Sequence, residues 1–564
     1  MKFSEYTYER PNMEEISKKF AEYLNKMTEA QMVEEVKESI HLINELRNDF
    51  GTMYNICYIR HSINTADEFF QTEQDYMDEI EPEIEALVSR YYHELVTSSF
   101  RKQLEMEWGE QLFSLAEAKL KTYSDEVLPL LKEENRLSSK YTKLISSAKI
   151  DFDGNTYTLA QLAPFSESKD QEIRKAAIKA SSSFFQQNEV DFDQIFEDLV
   201  IVRTKIAKAL GFSSFVELGY YRMMRTDYTA DMVKVFREEV KKHVVPIVSS
   251  LKEKQRSRIG LDKLNYYDEA FQFKSGNSAP KGDPSWIISN GKDMYGQLSR
   301  ETGEFFNILV ENELLDVEAK KGKAPGGYCT YIENYQVPYI FSNFNGTAGD
   351  IDVLTHEAGH AFQVYRSRHF TIPEYNWPTY EACEIHSMSM EFFTWPWMEK
   401  FFKEDKEKYY YSHLTSGLIF LPYGVLVDEF QHEVYENPEW SKEERKACWR
   451  RLEKQYLPHR NYGDDSYLEG GGYWHRQTHI FNSPFYYIDY TLAQVCAYQY
   501  WDWSQRDFDA AWRSYLHLCD LGGSKSFTNL VEEANLSSPF EENALKSIMK
   551  PIEDWLQLID DSTL

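Results

Sequence analysis

Apolar residues in the first quarter of the chain return every three or four positions. Within residues 13–141, the series Met32, Val36, Ile40, Ile43, Leu46 and the series Ile84, Leu87, Tyr91 each follow one helical face, while Glu and Lys fill the others. That period predicts long amphipathic helices burying one stripe each. It breaks at residues 149–162, where Asp153-Gly154-Asn155 separates two short β-prone runs and predicts a hairpin turn. Helical spacing resumes over residues 169–261. The character changes again near Pro280. Pro325-Gly326-Gly327 leads into β-rich runs at 328–332 and 337–341, followed by a helix predicted over 347–364 and a second over 380–394, which Pro396 stops. Thr347 is the expected N-cap of the first of these helices, with Asp350 three residues later completing a weak capping box. The pattern predicts a mainly α protein with a small β-sheet. We divide it into a mostly helical N-terminal lobe, residues 1–200, and a lobe of residues 201–564 that carries the HExxH helix, the helix of Glu384 and a Gly- and Tyr-rich loop.

Composition narrows the class. A chain of 564 residues, 42% hydrophobic and 15% aromatic, has ample material for large cores and is not a disordered segment. The formal net charge of −30 argues against nucleic acid or an anionic membrane as partner, because phosphate recognition needs clustered basic side chains. No stretch reaches membrane-spanning length free of charges, and residues 1–11 carry no apolar targeting core. The six cysteines are scattered without a CxxC pair, as expected of free thiols in a reducing, cytoplasmic setting.

The chemistry is concentrated in His356-Glu357-Ala358-Gly359-His360 and in Glu384, 28 residues after His356. Histidines four apart project from one helical face and reach a common cation, while Glu357 between them stands where a base can hold water. Two neutral imidazoles and a carboxylate suit one Zn2+ per chain and leave a fourth tetrahedral position for water. Glu384 falls on a separate helix, so the metal staples two helices. Glu381, one turn earlier, is the rival ligand; His386 and Cys383 are expected to pack. Asp352 and Glu391 are candidates to orient the ligand imidazoles. Of the short strands directly before the metal helix, the edge strand beside the metal offers unpaired backbone groups to an extended peptide.

This HExxH with Glu384-Ile385-His386-Ser387 resembles the thimet oligopeptidase and oligoendopeptidase F family of zinc metallopeptidases, and is most similar to its bacterial oligoendopeptidase F branch, including Pz-peptidase-like enzymes. Residues 168–177, Leu210-Gly211-Phe212, Tyr266-Tyr267-Asp268 and Phe430-Gln431-His432-Glu433-Val434-Tyr435 extend the likeness over most of the chain. The resemblance implies a zincin-type core in a clam-like helical ellipsoid with an internal channel, and hydrolysis of short peptides by metal-activated water with Glu357 as base. It also implies substrate-carbonyl contacts from His479, Tyr490 and either Tyr486 or Tyr487, after the Gly470-Gly471-Gly472 loop. Here Asn482-Ser483-Pro484-Phe485 stands where a Gly-Gly-Tyr segment is usual. Two other readings stay open: a dipeptidyl carboxypeptidase or carboxypeptidase with a cationic pocket for the substrate C-terminus, and a peptide-binding protein with a structural zinc.

Overall fold

The computed structural model describes residues 1–564, which group into two compact units, each assembled from three separate stretches of chain. The first unit comprises Met1–Lys121, Ala279–Lys403 and Cys496–Leu536; the second comprises Thr122–Ser278, Glu404–Val495 and Ser537–Leu564. Helices dominate both. No helix is long and apolar enough to cross a membrane.

In the first unit the N-terminal stretch folds as the amphipathic pattern predicts. The helix Val33–Ile63 buries Val36, Ile40 and Ile43. Met32 is the exception within its series: it precedes the helix as N-cap and is exposed, while the Glu35 carboxylate accepts its backbone N–H. The helix Glu68–Thr97 starts at Asp67, whose carboxylate accepts from the N–H groups of Phe69 and Phe70, and buries Ile84, Leu87 and Tyr91 against the same core.

The sheet of this unit has three strands in the order Leu315–Glu318, Val337–Phe344, Tyr328–Ile332. The central strand runs parallel to the first and antiparallel to the last. The strand Leu315–Glu318 has no counterpart in the sequence-based expectation: Leu-Asp-Val-Glu does alternate apolar and acidic residues, but over four residues the alternation is too short to stand out. The Tyr328–Ile332 edge is the side that faces away from the sheet centre. Thr330 and Tyr339 are paired across it, whereas Ile340 turns its N–H to Leu314 O and Pro338 has none, so Cys329 and Tyr331 direct their backbone groups outward.

The metal helix begins later than expected. It spans Gly349–Ser367 with Ala348 as N-cap, and the Asp350 carboxylate reaches backward to accept from the N–H groups of Asn345 and Gly346. Asp350 thus caps the turn that leaves the central strand, and Thr347 bonds to the Asn345 side chain instead. The second helix, Tyr380–Phe393, ends as Pro396 requires.

In the second unit the predicted hairpin pairs Ile150–Phe152 with Asn155–Tyr157; Asp153 (φ 47°) and Gly154 (φ 75°) supply the two positive φ values that a tight two-residue turn needs. Its helices are tied by buried charge. Arg203, fully buried, donates to Glu134 (2.7 Å) and to the Tyr435 hydroxyl (2.8 Å), and Arg222 shares the same Glu134.

Candidate metal centre and substrate-contacting cluster

The metal helix and the Tyr380–Phe393 helix pack face to face in the first unit. Gly359 makes the approach possible: a Cβ there would lie 2.6 Å from both His386 O and Ser387 Cα. At this crossing His356 Nε2 comes 3.2 Å from Glu384 Oε2, and His360 Nε2 comes 3.5 Å from the same oxygen. One ligand atom from each of the three residues lies within 4.8 Å of the others. Two donors about 2.0–2.1 Å from a tetrahedral Zn2+ would stand roughly 3.3–3.4 Å apart, so the spacing fits such an ion. Glu381 is buried on the same helix but is not one of the three converging residues.

The surroundings fix the orientation of His356 and Glu384. His356 Nδ1 meets Glu391 Oε1 at 2.7 Å, which leaves Nε2 directed at the centre, and Ser387 Oγ donates to Glu384 Oε2 at 2.9 Å. Burial alone would lower the His356 imidazole, yet Glu384 and Glu391 hold it well above its ordinary value; burial would raise Glu384, yet His360 and His356 hold it well below. Both directions express one property: Glu384 and the two imidazoles attract each other where they converge. The Glu357 carboxyl is raised by burial, against the pull of the two histidines. Across from it stands the edge strand, where burial and the Glu357 carboxylate push the Cys329 thiol up. The outward C=O of Tyr331 is already taken by the Asn55 side chain (2.8 Å).

The neighbours that were expected to pack do so. His386 is fully buried, its Nδ1 2.7 Å from Ala382 O, and burial lowers it to about 4. Cys383 directs its Sγ to Pro378 O, and all six cysteines are free.

His479, Tyr486 and Tyr490 lie together in the second unit. The His479 ring stacks on Tyr486 (5.8 Å between centroids, 8°) and meets Tyr487 and Tyr490 edge-on at 4.9 and 5.9 Å, so both adjacent tyrosines belong to the cluster. Sequence reasoning missed the residues that hold it. Gln477 accepts from the Tyr423 hydroxyl (2.7 Å) and its amide nitrogen lies 2.9 Å from His479 Nδ1, which leaves the ring proton on Nε2. Phe485 adopts a left-handed conformation (φ 69°), with its N–H donated to Gln431 and its C=O accepting from buried Arg225; its ring fills the space that Gly219 leaves open. That turn starts the helix bearing Tyr490. A Phe at positive φ carries no recognisable sequence signal, which is why it escaped the pattern reading.

The chain resembles known proteins over nearly its whole length. The model described as Peptidase family M3 matches residues 165–278 and 302–550, and the Peptidase M3 N-terminal domain model matches residues 3–123. An oligoendopeptidase F homolog of Borreliella burgdorferi is 24% identical over 436 residues, covering 70% of this chain and 69% of that protein. The solved structure of PZ peptidase A with an inhibitor is 60% identical, covers 100% of both chains and superposes with a TM-score of 0.96. The oligoendopeptidase F structure from Enterococcus faecium, 15% identical over 98% of each chain with a TM-score of 0.65, shares the fold.

Proposed function

Since this chain belongs to peptidase family M3 and is a metalloendopeptidase, we propose that it hydrolyses short peptides at internal bonds, with one Zn2+ held by His356, His360 and Glu384. The observation that carries this reading is the convergence of the two Nε2 atoms and Glu384 Oε2 at spacings that suit a single tetrahedral ion. When bound, such an ion supplies Lewis acidity toward water and the scissile carbonyl. The remaining work falls to the chain. Glu357, buried beside the two histidines, takes the proton of the attacking water at a carboxylate oxygen and returns it to the leaving amine. Glu391 keeps the His356 ring in the tautomer that turns Nε2 inward. The outward backbone of Cys329, on the strand beside Glu357, aligns an extended peptide by strand pairing. For His479, Tyr486 and Tyr490 we propose hydrogen bonds to the substrate carbonyl, which the Nε2–H of His479 and the phenols are chemically equipped to give. The free thiols and the acidic surface accord with action in the cytoplasm.

The substitution Glu357→Gln separates base from metal. It is expected to retain bound Zn2+ at one per chain by elemental analysis while peptide cleavage falls at least about 10²–10⁴-fold. Cleavage at the unsubstituted rate would exclude Glu357 as the base.

A further inference from the structure

We propose that Arg476 is a binding site for a carboxylate of the peptide substrate, an assignment that rests on the peptidase reading above. Arg476 follows the triple glycine in the turn Tyr473–Arg476 of the second unit. Its guanidinium is held between two rings, with Cζ 4.4 Å from the centroid of Tyr473 and 5.0 Å from that of Phe185. Nε and Nη2 are both buried and without a hydrogen-bond acceptor. These two atoms form the edge with which Arg366 holds Asp520 (2.7 and 2.6 Å) and Arg460 holds Glu269 (3.2 and 2.8 Å) in this same protein. Arg222, Arg225 and Arg237 also have an orphaned N–H but keep a carboxylate partner, and Arg445, which like Arg476 has no carboxylate partner, donates to Pro438 O.

A guanidinium with two buried N–H groups lacking an acceptor and no carboxylate in reach is a charge that an anion from outside would satisfy. Arg476 borders a cavity of about 180 Å³, walled by Tyr266, Tyr267, Tyr473 and Leu468. The acid that lines it, Glu269, is already engaged through both oxygens by Arg460, and that pairing, against the effect of burial, holds it at about 2. The cavity therefore has the Arg476 side chain at its border, aromatic walls and no competing free acid. Its wall is joined by ring contacts to the cluster of His479, Tyr486, Tyr487 and Tyr490: Tyr473 packs on Tyr423 (6.1 Å), which packs on Tyr487 (5.9 Å) and donates to Gln477. A peptide held by its carbonyl at that cluster has a carboxylate partner within the same unit.

Two sources supply this chemistry, the free C-terminus and an acidic side chain. Three peptides of one length distinguish them: a neutral sequence with a free C-terminal acid, its C-terminal amide, and the amide carrying one Glu. The unsubstituted enzyme is expected to favour one carboxylate peptide over the neutral amide by at least about tenfold in kcat/KM, chiefly through KM, and the favoured peptide names the source. In Arg476→Met that ratio falls toward one. A general folding defect lowers all three peptides together and keeps the ratio, so a preserved ratio overturns the proposal, as does the absence of any preference in the unsubstituted enzyme. Should the unsubstituted enzyme cleave none of them, the peptidase reading fails by itself. Calorimetric titration with the same three peptides then decides the site: binding of a carboxylate peptide at least about tenfold tighter than the amide, lost in Arg476→Met, sustains it, and equal binding overturns it.

Discussion

At Gly359 a single missing side chain sets the distance between the two ligand-bearing helices. Ala is the better helix former by about 1 kcal/mol, so propensity alone would make Gly359→Ala stabilising. The added Cβ, however, meets backbone at 2.6 Å on the Tyr380–Phe393 helix, and backbone does not move aside as the end of a flexible side chain does. The steric cost of overpacking, about 1–3 kcal/mol, should win. We expect Gly359→Ala to lower the melting temperature of the chelated protein and to weaken Zn2+ binding at least tenfold by competition with a fluorescent chelator, since Glu384 is pushed away from the two imidazoles. Unchanged metal affinity would show that the helix spacing is not what positions Glu384. The same crossing explains how legible the centre was. The shared face of His356 and His360 follows from helical geometry, but the approach of Glu384 rather than Glu381 and the pairing of Glu391 with His356 depend on how the second helix is rotated.

Among elements, the turn between the edge strand and the central strand is tied to the helix Val33–Ile63 by a titratable group. Glu333 packs beside Gly51, accepts from Asn55 Nδ2 (3.3 Å to Oε1), and is raised by burial to about 7. A carboxyl raised from its unfolded value favours the protonated form in the folded state, so folding loses stability as pH rises from about 4.5 and the loss levels off above about 7. Glu333→Gln should therefore melt higher than the unsubstituted protein at pH 8, with the difference shrinking toward pH 5. A difference independent of pH would mean that Glu333 is ionised throughout. Asn55, from the same helix, closes the Tyr331 end of the outward strand edge, so the strand pairing proposed for substrate centres on Cys329. Both strands flanking this turn were readable from β-propensity after a Gly-rich start, whereas Leu315–Glu318 owes its strand state to the parallel partner beside it.

On the scale of the whole molecule the net charge of −30 becomes a kinetic property. A surface of one dominant sign attracts cationic peptides and is screened by salt over a Debye length of about 10 Å at 0.1 M. Cleavage of a Lys-rich peptide is accordingly expected to lose several-fold in kcat/KM between about 0.02 and 0.3 M salt, while a neutral peptide changes little; parallel salt curves for the two would remove charge steering from the account. Segments far apart in the chain share each compact unit, and much of the site chemistry reflects that. Local pattern alone determined the helical class, the hairpin turn and the HExxH face, because those depend on residues within a few positions of one another. Tertiary structure decided which carboxylate orients His356, how Phe485 is held at positive φ, and that Arg476 keeps two buried N–H groups without an acceptor. Each of those is a matter of what arrives from elsewhere in the chain, and spacing along the sequence carries no record of it.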